Sequence, residues 1–139
     1  MELTVRALTE MDEDIVKDID NISGSNVLNF LDCDEYSWGI FKDKKLIGYC
    51  TLGYADIFEE IKTYQGYKDD SILLSDVFVL PHFRGQGVAT NLINNAIKKH
   101  SETQNNLIFL TLLESGLQYF YRKLNFKCIN DYVMVKQCM

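Results

Sequence analysis

The stretch from Val79 to Ile93 reads VLPHFRGQGVATNLI. An apolar run closes at Pro81, Gly85 and Gly87 stand two apart, and a helical pattern begins at once. Each glycine costs chain entropy on folding, and a plain turn does not need two. The pair makes sense where a ligand must touch the main chain. Amides at a helix N-terminus lack intrahelical acceptors and carry partial positive charge, which together make a phosphate site. Arg84 adds a charge suited to phosphate. Two familiar phosphate motifs do not match. No Lys follows Gly87, as a nucleoside-triphosphate loop requires, and a dinucleotide fingerprint needs three glycines after the first strand rather than a mid-chain one.

Other chemistries find less support. Cys33, Cys50, Cys128 and Cys138 form no CxxC, and His82 and His100 are the only histidines, so no zinc site is expected. Free buried thiols in a reducing compartment are the simpler reading. No Ser-His-Asp or Cys-His grouping is visible, so a covalent route is not indicated. His82 lies beside Pro81, within reach of a phosphate or simply facing solvent.

The elements that must position the glycine turn follow from hydrophobic spacing. ELTVRAL at 2–8 alternates as a strand. Met11, Ile15, Val16 and Ile19 fall at helical spacing, with Thr9 or Asp12 as cap. Residues 36–41 and 46–54 form a hairpin around KDKK, and 71–80 is a further strand. Residues 56–70 form a polar and aromatic connection with room for one helical turn. Val88, Leu92, Ile93, Ala96 and Ile97 mark one face of a helix over 88–100. LIFLTLL at 107–113 reads as a strand buried on both faces. Leu117, Phe120, Tyr121 and Leu124 mark a short apolar helical face, which Asn125 ends in a left-handed conformation. Strands at 126–129 and 132–135 flank an Asn130-Asp131 turn.

The chain has 139 residues, 47% hydrophobic, with one Pro and a net charge of −6. One domain over 1–139 is expected. No apolar run is long enough to span a bilayer and no apolar leader is visible, so a cytoplasmic protein without a membrane partner is expected. The acidic balance argues against nucleic acid. Ten of the acids and only two bases, Arg6 and Lys17, lie in residues 1–35. That third either attracts a cationic substrate or serves as a solvated face.

Two segments together resemble the GNAT superfamily of acyl-CoA-dependent N-acetyltransferases. VFVLPHFRGQGVA, with Arg84-x-x-Gly87-x-Ala89, is similar to the family's acyl-CoA signature between its fourth strand and the next helix. YFYRKLNF at 119–126 is similar to its C-terminal A-x-x-L-Y-x-K-x-G-F segment. The element order also agrees over nearly the whole chain. The resemblance implies an α/β (α+β) fold with a mixed, largely antiparallel central sheet flanked by helices on both faces. It implies acetyl-CoA as cosubstrate, with the backbone of Val77, Phe78 and Val79 pairing with the pantetheine arm. The amides of Gly85, Gln86, Gly87, Val88, Ala89 and Thr90, with Arg84, would hold the diphosphate, and Tyr121 would be the general acid. Two positions depart from the pattern: Glu114 replaces an Asn that contacts the cofactor, and Asn125 replaces a Gly. Asn is the readiest substitute where φ is positive.

Transfer to an amine needs a neutral nucleophile, and alkyl amines near pKa 10 need a base. Asp76 is the first candidate, against a purely structural hydrogen bond; Glu59 and Glu60 are alternatives. A strand amide near Val77 would stabilise the carbonyl oxygen. Tyr121 would protonate the departing thiolate, or else serve only as core. Tyr64 and Tyr67 are candidates for acceptor contact, Trp38 and Tyr49 for sheet packing. The activity implied is acetyl transfer to a primary amine, small or on a protein, by direct attack in a ternary complex. A catalytically weak acyl-CoA sensor and a different phosphate-ligand protein are the alternatives. A monomer or a homodimer is expected.

Overall fold

A computed structural model describes residues 2–34, 36–55, 59–68, 70–100, 107–112 and 116–137. Glu114 and Cys138 lie outside these. The fold is mixed α/β, with a seven-stranded, mostly antiparallel sheet in the order β1-β2-β3-β4-β5-β7-β6. The chain divides into two compact units, residues 1–52 with 76–100 and residues 53–75 with 101–139.

In the first unit, β1 (Leu3–Ala7) pairs antiparallel with β2 (Ser37–Lys42), which pairs antiparallel with β3 (Lys45–Tyr54). Asp43 and Lys44 both take positive φ, 50° and 71°, as a two-residue hairpin turn demands. Before α1 (Glu13–Ser23), the Thr9 hydroxyl and the Asp12 carboxylate cap each other's backbone amides. The helix buries Val16 and Ile19, but Met11 is 96% exposed. Glu10–Asp12 is a 3-10 turn, and its three residues per turn rotate Met11 off the face that the helical spacing predicts. Gly24, at φ 79°, ends the helix. Val16, Ile19, Val27, Leu31, Phe41, Leu46 and Tyr49 form one core with Leu8. Tyr49 anchors it: its phenol donates to Asp20 at 2.6 Å and meets the Ser23 hydroxyl at 2.6 Å. The same carboxylate accepts from the amides of Val27 and Leu28. Trp38 and Tyr49 are buried, as sheet packing requires. α3 (Val88–His100) buries Val88, Leu92, Ile93, Ala96 and Ile97, the face its spacing predicts. Full burial of such a Leu or Ile contributes about 1.5–3 kcal/mol.

In the second unit, the first half of β4 (Ile72–Val79) runs parallel to β5 (Leu107–Thr111), in register at Ile72↔Ile108 and Leu73↔Phe109. β7 (Val133–Gln137) pairs antiparallel with β5 and with β6 (Lys127–Cys128). Among the described residues of the connection from 56 to 70 there is one short helix, α2 (Glu59–Lys62). Tyr64 and Tyr67 lie against the buried Phe109 ring, at 5.7 and 6.3 Å, so both serve the core. On α4 (Leu117–Lys123) only Tyr121 is buried, with Leu124 just beyond; Leu117 is exposed, so the apolar face is shorter than its spacing predicts. Asn125 takes φ 72°. Cys50 is buried, but Cys33 is exposed and Cys128 half-buried, which corrects the expectation of buried thiols. No helix among the described residues is long and apolar enough to cross a membrane.

Candidate active site

Most residues singled out in the sequence come together in the first unit, at the C-terminal half of β4 and the turn after it. Asp76 sits inside β4 with φ 52°. A left-handed residue in a strand breaks the alternation of amide directions, and for an L-residue it costs about 1–2 kcal/mol. Asp tolerates it better than most. Thr51 on β3 holds the side chain, its Oγ1 donating to Asp76 Oδ2 at 3.3 Å. The carboxylate is otherwise exposed to solvent.

Asp76 has a further neighbour. Burial pushes the Tyr36 phenol above its ordinary pKa, and the negative charge of Asp76 adds to this, while a hydrogen bond with Thr51 opposes it. Buried Cys50 is likewise pushed up, first by burial and then by Asp76. Tyr36 stacks on Phe30 at 5.2 Å. Thr51 and Tyr36 had no signal in the sequence: the hydrogen bond spans 25 positions, and neither residue belongs to a motif.

Beyond Asp76, Val77 and Phe78 are half-buried and Val79 is buried. β3 comes close here, since a Cβ on Gly48 would lie 2.8 Å from the Phe78 carbonyl oxygen. The Leu80 amide donates to the Ile47 carbonyl at 2.9 Å, fixing the end of β4 on β3. Pro81–Phe83 forms a 3-10 turn with Pro at its start, where the missing amide costs nothing. Arg84 then turns back. Its Nε donates to the Val79 carbonyl at 2.9 Å and its guanidinium lies 5.1 Å from the Phe78 ring centre. No hydrogen bond among the described residues engages its two terminal nitrogens.

Gly85 and Gly87 both take left-handed φ, 75° and 78°. Nothing lies within 4 Å of where a Cβ would stand on either. Gln86 between them is exposed and donates to the His82 carbonyl at 3.2 Å. The Gly87 carbonyl accepts the first helical bond, from Asn91 at 3.0 Å. The amides of Val88, Ala89 and Thr90 therefore open α3 without intrahelical acceptors. Exposed glycines beside open amides and a part-free guanidinium are suited to a diphosphate.

A cleft of about 650 Å³ lies at the end of β1. Ala7, Leu8 and Leu31 give it an apolar lining, Glu10, Asp32 and Asp34 an acidic one, and no lining residue is basic. The Leu8 amide donates to the Ser37 carbonyl, and Ser37 is the register partner of Thr51, which holds Asp76.

Tyr121 belongs to the second unit. It is 9% exposed, with its ring edge-on to Phe120 at 5.0 Å and Phe126 at 5.7 Å. Its carbonyl accepts from the Phe126 amide at 3.1 Å, the bond that closes the helix end at Asn125. Glu59 and Glu60 are exposed on α2.

Comparison with known proteins bears on this geometry. Residues 33–128 match the model of an acetyltransferase (GNAT) domain. A probable acetyltransferase from Staphylococcus epidermidis superposes with a TM-score of 0.72 at 18% identity, covering 99% of this chain and 100% of that one. Arabidopsis thaliana NAA60, solved with acetyl-CoA, gives 0.69 at 16% identity, with 98% of each chain covered. The diaminobutyrate acetyltransferase EctA of Paenibacillus lautus, solved with L-2,4-diaminobutyric acid and coenzyme A, gives 0.68 at 12% identity, covering 99% and 95%.

Proposed function

The chain belongs to the GNAT family of acetyltransferases, and from that premise we propose that it transfers an acetyl group from acetyl-CoA to a primary amine by direct attack within a ternary complex. One observation carries the reading: the left-handed Gly85 and Gly87, with open space above them, bare the first amides of α3 beside the end of β4. We take residues 1–139 as a single domain of this kind, since the family match draws on both compact units.

Acetyl-CoA supplies an activated thioester. The amides of Gly85, Gln86, Gly87, Val88, Ala89 and Thr90 bind its diphosphate, with the terminal nitrogens of Arg84. Val77, Phe78 and Val79 offer backbone to the pantetheine arm; the Val79 carbonyl already accepts from Arg84, so its second lone pair is the one on offer. The Val77 amide follows the left-handed Asp76 and is the donor for the carbonyl oxygen. Asp76 is the general base: Thr51 holds Oδ2, and Oδ1 takes a proton from the incoming ammonium. Tyr121 returns a proton from its phenol to the leaving thiolate, with Phe120 and Phe126 fixing the ring.

The acidic cleft points to acceptors that carry a second positive charge. Glu10, Asp32 and Asp34 would hold a distant ammonium. The diamino acid bound by EctA is an acceptor of that type. Thiol release measured with acetyl-CoA and a panel of amines tests both levels of the reading. Diamines and basic peptides should give the highest kcat/KM, and acidic amino acids the lowest. A preference for acidic amines would remove the acceptor assignment. Tight CoA binding without amine-dependent release would leave an acyl-CoA-binding module in place of an enzyme.

A further inference from the structure

The hairpin turn between β2 and β3 carries a feature that acetyl transfer does not use. Lys42 Nζ lies 5.6 Å and Lys45 Nζ 5.9 Å from the centre of the Phe83 ring. Asp43 and Lys44, both left-handed, fold the chain so that the residues either side of them reach the same ring. Phe83 directly precedes Arg84 and the glycine turn. Two ammonium groups thus stand at the entrance to the turn. No ion pair among the described residues engages either one, and Asp43 pairs with neither. Like charges gathered without a counterion repel. The ring face offsets part of that cost by cation–π attraction, and a dianion would offset more.

We propose that Lys42 and Lys45, gathered on Phe83, recognise the 3′-phosphate of the coenzyme A nucleotide. The inference rests on the acetyl-CoA reading above. It goes beyond that reading by assigning a selectivity the glycine turn cannot supply. The turn binds a diphosphate, which CoA shares with dephospho-CoA and many other nucleotides. CoA carries in addition a phosphate monoester on the 3′-oxygen of the ribose that bears the diphosphate, and dephospho-CoA lacks it. Such a monoester holds about −1.5 to −2 charges near pH 7, which matches two ammoniums. The ribose links the two groups through a few bonds, so a ligand seated at Gly85–Gly87 brings its third phosphate to the same rim.

Calorimetric titration of the full chain with CoA and with dephospho-CoA tests this without turnover. The wild type should prefer CoA by about ten-fold, the scale of two partly exposed charge pairs. In the Lys42→Met/Lys45→Met variant the preference should collapse towards unity, with dephospho-CoA affinity unchanged, and the Lys→Arg pair should restore it. Raising the salt should compress the wild-type preference. Equal wild-type affinity for both ligands, or a preference kept in the Met variant, overturns the proposal while leaving the acetyl-CoA reading intact. Binding of neither ligand by the wild type overturns both.

Discussion

Three glycines of this chain permit a controlled test of what the turn does. Gly24, Gly85 and Gly87 have φ of 79°, 75° and 78°, and none has a heavy atom within 4 Å of a hypothetical Cβ. Alanine at any of them meets no steric clash and pays only for its backbone conformation. That cost is about 1–2 kcal/mol, which for a chain of this size lowers Tm by about 3–6 °C. The three Gly→Ala variants should therefore be destabilised alike by differential scanning calorimetry. They should separate on CoA titration. Gly24 ends α1 and should leave affinity unchanged, whereas a methyl over the amides at 85 or 87 should weaken CoA at least ten-fold, about 1.4 kcal/mol. Gly87→Asn isolates the two effects, because Asn accepts positive φ, as Asn125 does at 72°. It should recover most of the stability and none of the affinity. If Gly85→Ala and Gly87→Ala bind CoA as tightly as Gly24→Ala, these glycines serve the turn alone and the amide cradle is wrong.

Asp76→Asn keeps the hydrogen bond from Thr51 and tolerates the positive φ, so stability and CoA affinity should hold while kcat falls at least 100-fold at neutral pH; an unchanged kcat would remove Asp76 as base. Tyr121→Phe keeps the packed ring and should bind CoA normally with a lower kcat; a kcat equal to wild type would reduce Tyr121 to a core residue. Tyr49→Phe leaves the Asp20 carboxylate short of a donor and should cost about 1–3 kcal/mol in urea unfolding. Burial first, then Asp20, raises the Tyr49 pKa, so wild-type stability should hold below about pH 10 and fall as pH rises above it, a loss the Phe variant should show less. Arg6 holds the Asp12 carboxyl below the usual range through paired 2.9 Å bonds. That stabilisation is present above about pH 4 and lost as pH falls through the depressed value. Arg6→Met should thus cost about 1 kcal/mol at pH 7, after allowance for exposure of the pair, and far less near pH 2.

What could be read from the sequence was local. The glycine turn, the buried face of α3 and the left-handed Asn125 each depend on a few adjacent residues, and backbone rules settle them. Met11 escaped because a 3-10 turn changes the angular step, which the side-chain pattern alone does not reveal. Asp76 could be picked out as a carboxylate, but its positive φ could not, since ILLSDVFV has the composition of an unbroken strand. The Thr51 hydroxyl that restrains it arrives from 25 positions away, and Tyr36 comes from a different strand connection. Arg84 was legible as a charge, but not as one anchored by Nε to the strand it follows.

The same division runs through the site itself. The half proposed to grip an anion is one continuous run, Arg84 to Thr90, and it rests on the left-handed φ of Gly85 and Gly87. The half proposed to handle protons is gathered from separate elements. Asp76 is held by β3, its neighbour Tyr36 stands just before β2, and the acidic cleft is shared between the end of β1 and the segment after Leu31. The placement of Asp76 thus depends on tertiary packing, so changes far along the chain can disturb it. Loosening the core around Tyr49, which touches Phe78 at 6.4 Å between ring centres, is one route by which a distant substitution would reach β4. Cofactor binding should survive such changes better than turnover, because the glycine turn carries its own shape.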